Sequence, residues 1–362
     1  MQPFEPVINA AGKLTALGGS AQSDAVANAQ AEAAGKHVDL ARLRKLAGEQ
    51  VAAYTGAEAA CITTGAAAGI VISVAALLTG TNLVKVQQLP QVDGDNGILL
   101  QAGHAVNFGA NVTQMIRMGG GEPRILGSTN SVPERLLADT LDRTGARALL
   151  YVQSHHCVQE NMIPLERCIA LCQAHQVPVI VDAAAEEDLR FYIASGADLV
   201  TYSGGKAFGG PTVGFIAGRE ALIAACEMQF AGIARPMKVG KEAIAGLLSA
   251  LEAYATADTK QRADQLNRIN AFIMQELADC AAFDLSLKPD EAGRPFERVA
   301  VKAAGNGFPV RELVSFLSGG SPSIRTRNHH LDQGMVLLDP RELSEEDAGV
   351  IVERLKAFDS RQ

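Results

Sequence analysis

A lysine flanked by glycines follows an apolar run in Thr201-Tyr-Ser-Gly-Gly-Lys206-Ala-Phe-Gly-Gly-Pro211. Glycines on both sides allow a flat, bulky group to approach the backbone. A lysine that loses its proton can form an imine with an aldehyde. The same letters also fit a surface hairpin that carries a solvated lysine. The pattern therefore makes Lys206 a candidate for covalent chemistry, and the surface hairpin stays open as the alternative.

A carboxylate ends the apolar run Pro178-Val-Ile-Val-Asp182, which lies one strand upstream of the lysine. An acid in this place can keep an aromatic ring nitrogen protonated, and a protonated ring is an electron sink. The alanines after Asp182 leave room for a flat ring, and Ala184 is the best placed to pack on one face. The alternative is that Asp182 is a helix cap or a loop residue.

A strand turns through small residues into a helix at Cys61-Ile-Thr-Thr64-Gly65-Ala66-Ala-Ala-Gly69. The first backbone N–H groups of a helix, with the helix dipole, bind anions such as a phosphoester. Thr64, Gly65 and Ala66 are the candidates, and the hydroxyl of Ser203 is a further possible donor. The turn is neither a P-loop nor a dinucleotide fingerprint, since Lys206 precedes Ala and no G-x-G-x-x-G is present.

Between residues 58 and 217, apolar runs alternate with helical patterns, which predicts an α/β fold with a mostly parallel sheet. Seven runs predict strands: 59–63, 82–86, 124–126, 148–153, 178–182, 198–203 and 213–217. Helical patterns lie between them and continue after residue 218. The tail from about residue 298 reads as a small α+β domain. We expect an N-terminal segment and large domain over 1–257 and a small C-terminal domain over 258–362.

The charge balance argues against a nucleic-acid partner, because 32 Lys and Arg face 40 Asp and Glu, a net charge of −8. The six cysteines contain no C-x-x-C pair, which is typical of free thiols in a reducing cytoplasm. The first residues lack the pattern of a signal peptide, and the apolar runs are too short to span a bilayer. We expect a cytoplasmic protein with no membrane partner.

The three pieces occur in the order phosphate turn, strand-end acid and glycine-rich lysine, with Asp182 and Lys206 24 residues apart. This order resembles the fold-type I enzymes that use pyridoxal 5′-phosphate (PLP). The opening Val7-Ile-Asn-Ala-Ala-Gly-Lys-Leu-Thr-Ala-Leu-Gly-Gly and the lysine segment are similar to the selenocysteine synthase-like group. The likeness spans residues 7 to about 340 and implies the aspartate aminotransferase fold, with PLP held as a Schiff base on Lys206.

The resemblance also implies roles for secondary residues. His104 lies where fold-type I enzymes place a ring on the cofactor, with Phe108 as the rival and a half-buried loop histidine as the alternative. One of Gln153, Ser154 and His155 is expected at the phenolic oxygen of PLP, and Ser154 is our choice. His155 with His156 could instead bind a metal, but no further ligand completes such a site, so no metal is expected.

The group includes bacterial lyases that remove a β-hydroxyl and release ammonia from a phosphorylated amino-sugar acid, and we expect this reaction. The substrate of this reaction carries a carboxylate and a phosphate, and both groups require cationic side chains to bind them. The candidates are Arg325, Arg327, Arg235, Lys238 and Lys13. Because the extra N-terminal domain of true selenocysteine synthases is missing, a tRNA substrate is not expected. We expect a homodimer or larger homo-oligomer, since fold-type I sites are completed by a neighbouring subunit.

Other reactions stay open at this point. β-Replacement, another β-elimination, or aldol cleavage of a β-hydroxy amino acid would use the same cofactor contacts. A regulator that binds PLP or a sugar phosphate without catalysis is a different class, although Asp182 and Lys206 argue against it.

Overall fold

The computed structural model describes residues 5–154, 156–290, 295–305 and 307–361. The strands are β1 (Val7–Ala10), β2 (Ala59–Thr63), β3 (Gly97–Gln101), β4 (Glu122–Leu126), β5 (Ala148–Val152), β6 (Val179–Asp182), β7 (Leu199–Ser203), β8 (Gly214–Gly218), β9 (Phe283–Pro289), β10 (Glu297–Ala303), β11 (Ser323–Thr326) and β12 (Met335–Leu338). The α-helices are α1 (Asp24–Ala34), α2 (Leu40–Thr55), α3 (Ala66–Thr79), α4 (Leu83–Gln88), α5 (Val112–Met118), α6 (Glu134–Arg143), α7 (Leu165–Ala174), α8 (Phe191–Ala194), α9 (Glu220–Met228), α10 (Lys241–Thr256), α11 (Thr259–Glu276), α12 (Val310–Ser318) and α13 (Glu345–Asp359). In this part of the chain, no helix combines the length and the apolar character needed to cross a membrane.

One compact unit, Gln22–Ala255, is built around a seven-stranded sheet of order β2-β8-β7-β6-β5-β3-β4. Strand β8 is antiparallel to β2 and β7, and the remaining pairs are parallel. Strands β3, β5, β6 and β8 are buried along their whole length. This is typical of a parallel sheet covered on both faces. The prediction of a mostly parallel, seven-stranded sheet is confirmed.

Two hydrophobic clusters cover the two faces of this sheet. Helices α3, α5 and α9 contribute to one, where the sheet side chains include Ile98, Leu150 and Ile180. Helices α2, α6, α7 and α10 contribute to the other. The alternation of side chains along each strand explains why successive apolar residues enter different clusters. Helix α3 is buried around most of its circumference, so the helix that begins at the predicted phosphate turn is firmly placed.

The second unit joins the N-terminal segment, up to Ala21, to the chain from Thr256 onward. It contains the antiparallel sheet β12-β10-β9 and the parallel pair β1-β11. Helices α11, α12 and α13 cover its core. The predicted domains placed residues 1–21 with the large domain. The structure groups them with the C-terminal residues because β1 hydrogen bonds to β11, with Val7 opposite Ser323.

The strand predicted at 82–86 is wrong, because these residues begin helix α4. The side chain of Asn82 accepts hydrogen bonds from the backbone N–H groups of Val84 and Lys85, at 3.0 and 3.2 Å. This N-cap favours a helix over the strand that the valines suggest. Strand β3 takes the missing place in the sheet. Helices α1, α2 and α9 and strands β1, β3 and β9 were not predicted.

Candidate active site

The sheet brings the predicted residues to one edge by its register. Val152 of β5 lies opposite Asp182 of β6, and Asp182 lies opposite Thr201 of β7. Ser203, at the end of β7, faces Gly214 of β8, which also faces Thr63 of β2. Neighbouring strands are about 4.8 Å apart, so the ends of β2, β5, β6 and β7 form one compact edge. Ligands of open α/β sheets bind at this carboxyl edge.

Asp182 is a buried acid with little to stabilise its charge. Only 6% of the residue is exposed, and its Oδ1 accepts a hydrogen bond of 3.2 Å from the N–H of Ala184. Burial raises the pKa of Asp182 to about 6, although the Lys206 ammonium and the Ala184 N–H oppose this shift. A buried carboxylate with a raised pKa favours a cationic partner, such as a protonated ring nitrogen.

Lys206 lies in the turn that joins β7 to β8. These two strands are antiparallel, so the hairpin of the structural alternative exists, but its lysine is half-buried and not fully solvated. The N–H of Gly204 donates to the carbonyl of Val213 at 2.7 Å, and the N–H of Gly210 donates to the carbonyl of Gly204 at 2.8 Å. The ammonium is near enough to lower the pKa of Asp182. The two residues predicted to act together therefore lie at one site.

An aromatic cluster anchors this turn two residues after the lysine. Phe208 is buried and packs against Phe215, with ring centroids 6.0 Å apart, and against Tyr254 at 5.2 Å. Tyr202, on the strand before the turn, packs on Phe215 at 5.1 Å. Such contacts restrict the backbone on both sides of Lys206. The lysine is therefore the polar, half-buried part of an otherwise fixed segment.

The predicted phosphate turn has the geometry of an anion site. Gly65 is the N-cap of α3 and, among the described residues, has no side-chain cap, so the first N–H groups of the helix are open to a ligand. A Cβ on Gly214 would lie 2.7 Å from the Cα of Gly65, so glycine lets β8 approach the turn closely. Thr201, which we did not predict, donates from Oγ1 to the carbonyl of Ala66 at 3.4 Å. Thr64 is half-buried beside it.

Ser154, Ala184 and Ser203 all lie half-buried at this edge. The N–H of Gln153 donates to the carbonyl of Asp182 at 2.9 Å, so the residue before Ser154 is tied to β6. The N–H of Ser203 donates to the carbonyl of Ala184 at 3.2 Å. These bonds place Ser154 and Ala184 next to Asp182. His155 lies outside the described residues.

The prediction that His104 stacks on a cofactor is wrong, because the residue is 0% exposed. Its Nδ1 accepts a hydrogen bond of 3.3 Å from the N–H of Val152, and its Nε2 lies 3.1 Å from Oε1 of Gln159. The ring meets Tyr151 edge to face, with centroids 4.5 Å apart. A ring without an exposed face cannot cover a cofactor. The half-buried Phe108 stays as the candidate for that role.

Burial of His104 should make stability depend on pH. Burial lowers the pKa of His104 to about 4, against 6.5 for an ordinary histidine. As pH falls, the histidine of the unfolded chain is protonated before that of the folded protein. The stability that the neutral, buried His104 contributes is therefore complete above pH 6.5 and is lost as pH falls towards 4. The shift corresponds to about 3 kcal/mol. In urea unfolding of cofactor-free protein, the free energy of unfolding of His104→Asn, relative to that of the wild type, should rise by about 2 kcal/mol as pH falls from 7.5 to 4.5. Parallel pH curves for the two proteins would contradict this.

Three of the five predicted substrate cations belong to the unit formed by the two ends of the chain. Arg325 is exposed on β11, whereas Arg327 is only 4% exposed. Lys13 forms an ion pair of 3.7 Å with Glu342, and 8% of its side chain is exposed. Exposure favours Arg325 for an oxyanion, because an anion can reach it without breaking a buried ion pair.

The other two predicted cations, Arg235 and Lys238, belong to the sheet-containing unit. Arg235 begins a short 3₁₀ turn, Arg235–Met237, and Lys238 follows it. Both side chains are exposed. Neither is among the residues that the sheet register collects at the edge around Asp182. Their assignment to the substrate remains a prediction.

Sequence reasoning missed Cys157, which lies close to Asp182. Its Sγ donates to the carbonyl of Val152 at 3.4 Å, and burial, followed by the charge of Asp182, raises the pKa of its thiol to about 12. No local pattern marked it, because a cysteine in a polar turn has no period or motif. The described part of the chain contains no group of three or more His, Cys, Asp or Glu that could bind a metal.

The residues at this edge fit PLP by chemical type. A buried acid with a raised pKa suits the pyridine nitrogen, and a lysine nearby can bind the aldehyde. An uncapped helix start suits the phosphate.

Comparison with known proteins identifies relatives of this chain. A family model described as SelA, L-seryl-tRNA selenium transferase, matches residues 178–285. The D-glucosaminate-6-phosphate ammonia lyase of Salmonella typhimurium is 43% identical over 98% of this chain and 95% of its own length. The 5′-C-glycyluridine monooxygenase-decarboxylase of a Streptomyces species is also 43% identical, over 97% of this chain and 89% of its own length.

Solved structures agree on the fold. The structure of a D-glucosaminate-6-phosphate ammonia-lyase superposes with a TM-score of 0.91 and 41% identity, and the match covers 100% of this chain and 99% of the other. A cysteine desulfurase from Thermococcus onnurineus NA1, at a TM-score of 0.60 and 14% identity over 98% and 95% of the two chains, shares the fold alone. The predicted aspartate aminotransferase-like architecture is confirmed.

Proposed function

The chain belongs to the family of D-glucosaminate-6-phosphate ammonia-lyase, and we propose that it converts D-glucosaminate 6-phosphate to 2-keto-3-deoxy-6-phosphogluconate and ammonia. The observation that carries this proposal is the near-complete structural match to that enzyme. Asp182 and Lys206, which lie together at the sheet edge, support catalysis over a purely binding role.

The enzyme uses PLP. When bound, PLP supplies an electron sink that stabilises negative charge at the substrate Cα. We assign Lys206 to its aldehyde, Asp182 to its ring nitrogen and Ser154 to its phenolic oxygen. The phosphate is assigned to Thr64, Gly65, Ala66 and Ser203, and the ring faces to Ala184 and Phe108.

In the proposed reaction the Nζ of Lys206 removes the proton from the substrate Cα. The same group then protonates the β-hydroxyl, which leaves as water. A water molecule later gives its oxygen to the former Cα, one proton to the former β-carbon and one to the departing nitrogen, so ammonia and a 2-keto-3-deoxy acid form with no net oxidation. Proton transfer by a positioned side chain accelerates such steps by about 10²- to 10⁴-fold. The buried carboxylate of Asp182 would keep the ring nitrogen of PLP protonated, because its Oδ atoms attract the positive charge of that nitrogen.

The substrate carries a carboxylate and a phosphate, and both need cations. We assign Arg325 to the carboxylate because it is exposed on β11 and arginine binds a carboxylate through two hydrogen bonds. Arg235 and Lys238, both exposed, are the candidates for the phosphate. The burial of Arg327 and the ion pair of Lys13 make these two less suitable.

A second candidate function is supported by the 43% identity to the 5′-C-glycyluridine monooxygenase-decarboxylase. That name describes an oxygen-dependent reaction that releases carbon dioxide, whereas the proposed elimination needs no oxidant. The dependence on oxygen therefore separates the two.

Purified holoenzyme should form ammonia and keto acid in a 1:1 ratio from D-glucosaminate 6-phosphate, at the same rate with and without oxygen. D-Glucosaminate without phosphate is the matched control and should react at least about 10-fold less efficiently, since it lacks a charged group that the cations bind. Release of carbon dioxide from 5′-C-glycyluridine only in the presence of oxygen, with no product from the sugar acid, would contradict the proposal.

We also propose that the enzyme is a cytoplasmic homodimer or larger homo-oligomer that binds no nucleic acid. The free state of all six cysteines supports a reducing compartment. The net charge of −8 supports a small-molecule substrate over tRNA.

A further inference from the structure

On the side that faces away from β6, the last residue of β5 is held by side chains instead of a neighbouring strand. Strand β3 pairs with β5 only as far as Leu100, opposite Leu150. Beyond that point the N–H of Val152 donates to Nδ1 of His104 at 3.3 Å. His104 thus continues the hydrogen bonding of β5 after β3 has ended, on the strand that pairs with Asp182.

Gln159 ties the same strand end to the turn that follows it. Its Nε2 donates to the carbonyl of Val152 at 3.2 Å. Its Oε1 lies 3.1 Å from Nε2 of His104 and accepts from the hydroxyl of Tyr151 at 3.3 Å. One amide therefore joins three groups, two at the end of β5 and one on His104, which fixes the distance between the turn and β5.

The hydrogen bonds determine the tautomer of His104. Nδ1 accepts from a backbone N–H, so it carries no proton, and Nε2 must carry the proton that it donates to Gln159. The low pKa that burial gives His104 agrees with a neutral ring. A second contact holds the same turn, because the N–H of Val158 donates to the carbonyl of Gly103 at 3.1 Å. A Cβ on Gly103 would lie 2.5 Å from the carbonyl oxygen of Val158, so only glycine permits this approach.

We propose that His104 and Gln159 are positioning residues that hold the turn after β5 so that Ser154 meets the phenolic oxygen of the cofactor. Neither residue is proposed to touch the cofactor. Ser154 begins the turn directly beyond Gln153, whose N–H is bonded to Asp182. If Gln159 is lost, the weaker bond from the Cys157 thiol to the carbonyl of Val152 remains as the side-chain tie between the turn and β5, so Ser154 is held less firmly beside the acid. This inference rests on the proposed cofactor contacts, but its test needs no substrate.

The test is the pH midpoint at which the visible absorption of the bound cofactor titrates. Loss of a hydrogen bond to an anionic phenolic oxygen raises the proton affinity of the chromophore. Ser154→Ala should therefore raise the midpoint by about one pH unit. Gln159→Met, of similar length but without hydrogen bonds, should raise it by a similar amount. The double variant should shift no further than Ser154→Ala, because the two residues act through one contact.

Gln173→Met is the matched control, since Gln173 is an exposed glutamine on α7 whose Nε2 contacts only the carbonyl of Gly196 in the described structure. It should leave the midpoint unchanged. Gln159 is itself exposed, so its replacement should not prevent folding. His104→Asn, which keeps an acceptor for Val152 but cannot reach Gln159, is a second route and should shift the midpoint in the same direction. An unchanged midpoint in Gln159→Met, or shifts that add in the double variant, would overturn the inference. Failure of the ammonia assay with intact spectral shifts would count against the proposed substrate alone.

Discussion

Lys206→Ala should abolish turnover of D-glucosaminate 6-phosphate, with kcat lower by at least about 10⁴-fold. The variant loses both the covalent link to PLP and the group that moves the Cα proton. The backbone of the turn should persist, because it is held by Phe208 and by the bonds of Gly204 and Gly210. Steady-state formation of keto acid measures the effect, and circular dichroism checks the fold.

Lys85→Ala is the control for this variant, because Lys85 is exposed on α4 and has no part in the proposed site. It should keep wild-type kcat. Added methylamine should restore part of the lost rate in Lys206→Ala, since it supplies the missing amine. Turnover of Lys206→Ala within 10-fold of the wild type would show that another group does this chemistry.

Asp182→Asn should lower kcat about 10²- to 10³-fold, as expected when one preorganised electrostatic contact is removed. The asparagine has nearly the same shape but cannot carry the negative charge that faces the ring nitrogen. The same change should stabilise the cofactor-free protein at neutral pH. Opposite effects on activity and stability would separate a functional charge from a structural one.

The sign of the stability effect follows from the raised pKa of Asp182. Because the folded pKa of about 6 exceeds the unfolded value of 3.8, the folded state favours the protonated acid. The stability that the protonated Asp182 contributes is complete below pH 3.8 and is lost as pH rises through 6. The whole contribution is about 3 kcal/mol. The free energy of unfolding of Asp182→Asn, relative to the wild type, should therefore rise by about 2 kcal/mol from pH 4 to 7.5.

The matched control is Asp139→Asn, because Asp139 lies at the surface on α6, where its carboxylate pairs only weakly with Arg135 at 3.7 Å. Its effect on stability should stay within about 0.5 kcal/mol at every pH. Asp182 and His104 titrate with opposite signs between pH 4 and 6, so each variant must be compared with the wild type at the same pH. A difference in the free energy of unfolding between Asp182→Asn and the wild type that does not change with pH would contradict a buried carboxylate with a raised pKa.

Asp182 and Lys206 could be predicted because their signals are local. Each follows a short buried run, and glycines or alanines mark the place where a ring can approach. The order of the runs along a parallel sheet then determines which ends become neighbours. The register of β6 and β7 agrees with this logic, since Asp182 lies opposite Thr201, two residues before Ser203.

His104 could not be placed in this way, because its partners are distant in the chain. Val152 and Gln159, 48 and 55 residues away, decide where its ring points. A histidine after a strand looks the same whether it faces a ligand or the interior. The pairing of β1 with β11 could not be predicted for the same reason, since the two strands are more than 300 residues apart in the chain.

The error at 82–86 has a different cause. Val84 and Val86 favour a strand by composition, but one capping side chain, that of Asn82, starts a helix instead. Propensity is weak over five residues, and one side chain that accepts two local hydrogen bonds can reverse it.

Equal identity to two enzymes with different reactions shows that the scaffold does not choose the chemistry. The cofactor contacts at the sheet edge would serve either reaction. We propose that the substrate-binding cations and the orientation of the substrate's bonds select between the two reactions, and Arg325, Arg235 and Lys238, the proposed cations, are the residues to vary first.

We expect PLP to be joined covalently to Lys206, beside Asp182. Borohydride reduction of the holoenzyme, followed by proteolysis and mass spectrometry of the peptides, shows which lysine carries the cofactor. The reduced cofactor should be found on the peptide that contains Lys206, at close to one per chain. Attachment to a different lysine, or no attachment in protein that still contains PLP, would contradict it.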